Sequence, residues 1–114
     1  AMVEAGADLV VGHHPHVFQG VEIYQNRPIF YSLGNFMFDQ YFSAETQEGY
    51  GVAVGFTSQE CKAKLLPYRS EYSRVELMGR QAESAFFDEL ISISELSQAK
   101  QQALRSGWLT VTLY

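Results

Sequence analysis

The 114-residue chain contains a single cysteine, Cys61, so no internal disulfide can staple it. Cys61 lies in an alternating, strand-like run and is expected to be buried as a small hydrophobe. Basic residues are scarce: eight Lys and Arg against thirteen Asp and Glu leave a formal net charge of -5. That balance gives no basic stripe, which excludes a nucleic-acid or anionic-membrane surface held by bulk charge. No window reaches the roughly 18 apolar residues of a membrane span, and the start lacks a basic region followed by an apolar one. Histidine is also sparse, and all three imidazoles fall within VVGHHPHVFQG, at His13, His14 and His16.

What is present fits one domain with one core, over residues 1–114. AMVEAGADLVVG reads as the tail of a helix ending at Gly6, then a buried strand over Asp8–Gly12. A start in the last turn of a helix implies the C-terminal portion of a longer domain. Next, GVEIYQNRPIFYSLGNF alternates on either side of Gln25-Asn26-Arg27, which has the chemistry of a hairpin turn, with Val21, Ile23, Ile29 and Tyr31 as its structural residues. Residues 39–49 are polar and acidic and read as an exposed loop.

In YGVAVGF, Val52, Val54 and Phe56 alternate with Gly51, Ala53 and Gly55, which predicts a strand pressed closely against something on its small face. CKAKLLPY sets Cys61, Ala63 and Leu65 on one face and Lys62 and Lys64 on the other, with TSQE closing a second hairpin. A third strand is expected over 72–78. The period then becomes helical, with Ala82, Ala85, Phe86, Leu90 and Ile93 on one face. Ser92–Glu95 fits a capping box, Ser94 is an alternative cap, and a second helix is expected to run to about Arg105. Gly107 ends it, and Trp108–Tyr114 forms a last strand. Arg27 and Arg69 are expected to be solvated surface residues.

The histidines follow a buried strand, and the C-terminal ends of strands in open α/β sheets are where ligand sites gather. Pro15 forces His14 into extended backbone, so His14 and His16, two apart, can project to one side. Converging neutral imidazoles of restricted freedom are what a divalent metal requires. The competing reading is that they are solvated loop residues, or that the cluster captures Zn, Ni or Cu adventitiously.

The stretch GADLVVGHHPHVFQGVEIYQNRPIFYSLGNFMFDQ, with its signatures GHHPHV and YSLGNFMFD, closely resembles the bacterial capsule-synthesis family linked to poly-γ-glutamate, which is related to calcineurin-like metallophosphoesterases. The resemblance is looser to about Leu96. It implies the C-terminal part of a four-layer α/β/β/α sandwich, with mixed sheets, flanking helices and a two-metal site at strand ends. It puts His14 and His16 in the metal-ligand positions and His13 where the superfamily has glycine, as a supporting or substrate-facing residue. Asn35 either lines that site or only stabilises its own turn, and Asp39 reads as an ordinary loop acid. The cofactors implied are Mn, Zn or Fe, two in the full-length parent, and the implied location is the cell envelope.

A two-metal phosphoesterase also needs carboxylates, with its ions held roughly 4 Å apart. The superfamily's Asp-x-His, Gly-Asp and Gly-Asn-His motifs do not occur here, and Gly34-Asn35 is followed by Phe36. The chain alone is therefore expected to lack phosphoesterase turnover. Its expected partners are the N-terminal half of the domain, or a second copy in an oligomer or swapped dimer, and a polymer or phosphoester substrate. The rival reading is a non-catalytic binding component of an envelope polymer synthesis and export complex.

Overall fold

In the computed structural model, which describes residues 1–13, 17–36, 47–71 and 74–113, a single apolar cluster joins two sheets and two helices. The chain is α/β. The first sheet holds β1 (Val10–Val11), β2 (Val21–Tyr24) and β3 (Arg27–Phe30) in the order β1-β3-β2. β1 runs parallel to β3 and β2 antiparallel to it, so this sheet is mixed. The second is wholly antiparallel. In it β5 (Glu60–Glu71) pairs along one edge with β4 (Glu48–Phe56). Its other edge is shared by β7 (Trp108–Thr112), beside Glu60–Lys64, and β6 (Arg74–Leu77), beside Tyr68–Glu71.

The first hairpin turns on two residues rather than three. Gln25 and Asn26 both take positive φ (49° and 60°), the pairing that matches the twist of a two-residue hairpin, and Arg27 already opens β3. The face turned to the core is that of Val21, Pro28 and Phe30, with Ile23 half-buried; Tyr31, expected to be structural, is exposed. Arg27 also departs from expectation. Its Nε donates to Asp8 Oδ1 at 2.7 Å and its Nη1 to the Leu113 carbonyl at 2.5 Å, so it ties both chain ends to the hairpin.

The second hairpin forms where TSQE predicts it, with the Thr57 hydroxyl accepting from the backbone N–H of Gln59 and Glu60. Cys61, Ala63 and Leu65 face the core as expected, and burial pushes the Cys61 thiol up, leaving it neutral and inert. The small face of β4 is different. A side chain at Gly51 or Gly55 would meet nothing within 4 Å, so nothing among the described residues presses there. The close approach is one pleat earlier, at Gly49, where an added Cβ would lie 2.5 Å from the Leu33 carbonyl oxygen and 2.7 Å from the Tyr68 hydroxyl. Glu48 and Gly49, expected in a loop, are strand.

α1 (Arg80–Ser92) buries Phe86, Phe87, Leu90 and Ile91. Phe86 and Leu90 are buried as predicted, whereas Ala82, Ala85 and Ile93 are exposed and Phe87 and Ile91 are buried instead. α2 (Gln98–Leu104) is capped by Ser97, whose side chain accepts from Lys100 N–H, rather than by Ser92 or Ser94. Ser94 does something else. Its hydroxyl donates to the Leu90 carbonyl at 2.6 Å and accepts from Val21 N–H at 2.8 Å, coupling the end of α1 to β2. Gly107, at φ +89°, ends α2's final turn and β7 follows, as the sequence predicts.

Candidate functional site

The histidine segment is built around the C-terminal end of β3. On one flank Gly12, just past β1, donates to the Phe30 carbonyl at 2.8 Å and accepts from Leu33 N–H at 3.1 Å. On the other flank Phe18 forms an antiparallel bridge to Leu33, and Gln19 N–H donates to the Ser32 carbonyl at 3.0 Å. The chain thus leaves the sheet on one side of residues 30–33 and rejoins it on the other. All three histidines lie between these two anchors.

Each anchor has a reason in the sequence. An added Cβ at Gly12 would lie 2.2 Å from the Tyr31 carbonyl oxygen, so no other residue could let the two strands run this close before the histidines. Phe18 is buried and packs on Phe86 of α1 with ring centroids 4.7 Å apart, which fixes the exit of the segment to the core.

The SLGNF turn is stapled to the same place. Leu33 receives a further bond at its carbonyl from Tyr50 N–H of β4, at 3.0 Å. Ser32 is wholly buried, and its hydroxyl accepts from Gly34 N–H at 3.3 Å. Gly34 takes φ +83°, and an added Cβ there would sit 2.7 Å from the Glu48 carbonyl oxygen and 3.2 Å from Phe18 N. Asn35 follows directly and is 7% exposed, and Phe36 then packs edge-on against Tyr68 at 5.2 Å.

The structure therefore brings the described ends of the histidine segment and the Asn35 turn to one strand end. His13 is exposed there, and Asn35 is buried. His14, His16 and Asp39 lie outside the described residues. Among the described residues, no three His, Cys, Asp or Glu side chains converge as a metal-holding group. Two phenols stand close by on β4 and β5. Burial raises Tyr68 to about 12, and burial, reinforced by Tyr68, raises Tyr50 further.

Gly12 and Ser32 are parts of this scaffold that the sequence motifs do not single out. Gly12 had a legible signal, a glycine placed between an apolar run and a histidine cluster. Ser32 had none, since its role rests on burial produced by distant residues.

Residues 1–40 match the model of a family described as bacterial capsule synthesis protein PGA_cap. Over 40 residues the chain is 68% identical to "Capsule biosynthesis protein CapA" of Bacillus anthracis and 65% identical to "PGA biosynthesis protein CapA" of Bacillus subtilis (strain 168). Each match covers 35% of this chain and 10% of the relative. A longer match, 31% identical over 107 residues, is to "Uncharacterized protein y4sH" of Sinorhizobium fredii (strain NBRC 101917 / NGR234), covering 91% of this chain and 23% of that protein. The chain thus spans between a tenth and a quarter of the length of these curated relatives.

Proposed function

Because residues 1–40 match the model of the bacterial capsule synthesis protein family, we propose that the chain is the C-terminal portion of a metallophosphoesterase-like domain acting in capsule or poly-γ-glutamate biosynthesis. In this reading residues 1–114 belong to one four-layer sandwich completed by an N-terminal half, in a protein of the cell envelope. The whole acts as a metal-dependent hydrolase on a phosphoester or a polymer-linked substrate. The observation that supports it most is the double pinning of the histidine segment: Gly12 and Phe18 are held on opposite flanks of Leu33, with Asn35 leaving the same strand end.

The donor set suits part of such a centre. Imidazoles on a short segment with both ends fixed are good ligands for Mn, Zn or Fe, and a buried carboxamide can orient a ligand or a substrate oxygen. Carboxylate ligands are the share that the N-terminal half would bring. His14 and His16 would hold metal, and His13, exposed at the rim, would face substrate or hydrogen-bond a ligand from outside. When bound, divalent ions supply Lewis acidity toward a phosphoryl oxygen and lower the pKa of water. This chain's own contribution is to position imidazoles, and to do so without freedom at either end of the segment.

Hydrolysis of p-nitrophenyl phosphate tests the reading. The complete protein should turn it over with Mn and lose nearly all activity in the His14→Ala, His16→Ala double variant. The isolated 114 residues should be inactive, and turnover by the pure chain would contradict the division of the site between two halves.

A further inference from the structure

A second site lies at the opposite end of the first sheet from the histidines. Asp8 precedes β1 and Arg27 opens β3. With Phe56, Thr57, Ser58 and Leu113 they line a cleft of about 540 Å³. Arg27 is aimed rather than free: Nε is held by Asp8 Oδ1 at 2.7 Å, and Nη1 by the carbonyls of Leu113 at 2.5 Å and Asn26 at 3.2 Å. Its remaining nitrogen, Nη2, has no partner among the described residues, so a fixed guanidinium keeps one edge open. Asp8 is 59% exposed and uses only one carboxylate oxygen on Arg27.

The walls add to this polarity. Thr57 Oγ1 already accepts from two backbone N–H groups, so its hydroxyl hydrogen is available to donate. Phe56 is 51% exposed and offers an apolar ring beside the charged pair. The cleft carries one cation and one anion, and the chain as a whole is negative at -5. A simple anion is therefore disfavoured by the overall field, and a simple cation would have to compete with Arg27 for Asp8. A ligand carrying both charges can use the Arg27 nitrogen and the Asp8 oxygen that the ion pair leaves over.

From this geometry we infer that the cleft binds a small zwitterion of the α-amino-acid type. Its carboxylate lies on Arg27 Nη2 and the Thr57 hydroxyl, its ammonium on the free oxygen of Asp8, and its apolar side chain on Phe56. Hydrogen bonds to charged groups contribute enough that removing either charge from the ligand should weaken binding about tenfold or more.

Nuclear magnetic resonance titration of the 114-residue chain with L-leucine tests this, alongside isocaproate, which lacks the ammonium, and isoamylamine, which lacks the carboxylate. The expected result is saturable shifts at Phe56, Thr57, Ser58 and Arg27 Nε–H with leucine, and at least roughly tenfold weaker binding of both analogues. Asp8→Asn keeps the acceptor for Arg27 Nε, and should weaken leucine about tenfold while leaving isocaproate unchanged. Phe56→Ala, which leaves the Arg27 ties in place, should weaken leucine several-fold. No saturable shift by about 10 mM leucine, shifts at other residues, or equal affinity for the three ligands would overturn the assignment.

Discussion

Gly34 carries more of this site than any polar side chain near it. Its φ of +83° is a conformation that costs a residue with a Cβ about 1–2 kcal/mol, and the Cβ would also press on the Glu48 carbonyl oxygen at 2.7 Å. Gly34→Ala should therefore lower stability by about 2–4 kcal/mol in urea unfolding, because both penalties apply and the contact is with backbone that cannot swing away. A loss below about 0.5 kcal/mol would mean that the turn relaxes and that Asn35 is not held as described. Gly12 acts by space alone, admitting the Tyr31 carbonyl where a methyl would stand at 2.2 Å. Both glycines flank residues expected to bind, and both work by letting backbones approach. Such roles are half legible in a sequence: the glycine shows, but what comes near it does not.

At the scale of elements, the site depends on α1 although no residue of α1 belongs to it. Phe86 packs on Phe18 at 4.7 Å and on Tyr50 at 5.7 Å, so one ring braces both the exit of the histidine segment and the strand that holds Leu33. Phe18→Ala should cost about 3–5 kcal/mol, the usual price of emptying a buried aromatic position, and should release one end of the histidine segment. In contrast Phe36, on the other side and 56% exposed, should cost about 1 kcal/mol or less when truncated. Thermal denaturation of the two variants checks the contrast, and equal losses would contradict it. Both hairpins were readable because turn chemistry and alternation are local signals. Periodicity picks out Phe86 and Leu90 of the α1 stripe but not Phe87 and Ile91, because each pair offers two adjacent apolar residues and only packing chooses how far round the buried face extends. The small face of β4 differs for a related reason: alternating glycines predict a close neighbour, but among the described residues only Gly49 of the β4 glycines has one.

For the whole molecule, two sheets and two helices among the described residues close on one apolar cluster, and two buried phenols, Tyr50 within that cluster and Tyr68 on β5, make stability depend on alkaline pH. Tyr68 is neutral in both folded and unfolded chain below its ordinary value near 10, so there it has no pH-linked effect. Above pH 10 the unfolded phenol ionises while the folded one, pushed up to about 12 by burial, does not; stability therefore falls as pH rises through that interval. Tyr50, raised in the same direction, steepens the fall. Unfolding free energy measured from pH 8 to 12 should be flat at first with respect to these groups and then decline, with a smaller slope in Tyr68→Phe. An unchanged slope in that variant would mean that Tyr68 is solvated. The alternation of strand and helix was legible from periodicity and the single core from length and composition, whereas the division into one mixed and one antiparallel sheet was not, because it depends on β5 being long enough to share one edge between β6 and β7.

In the proposed function, a histidine segment held on both flanks of one strand end is the imidazole share of a divalent-metal centre. Calorimetric titration of Mn and Zn tests it most directly, using the 114-residue chain and the complete protein, each with and without His14→Ala plus His16→Ala. The complete protein should bind about two ions and lose one or both on mutation, while the chain alone should bind weakly. A complete protein that takes up neither metal, or that binds both equally well without these two histidines, would contradict it.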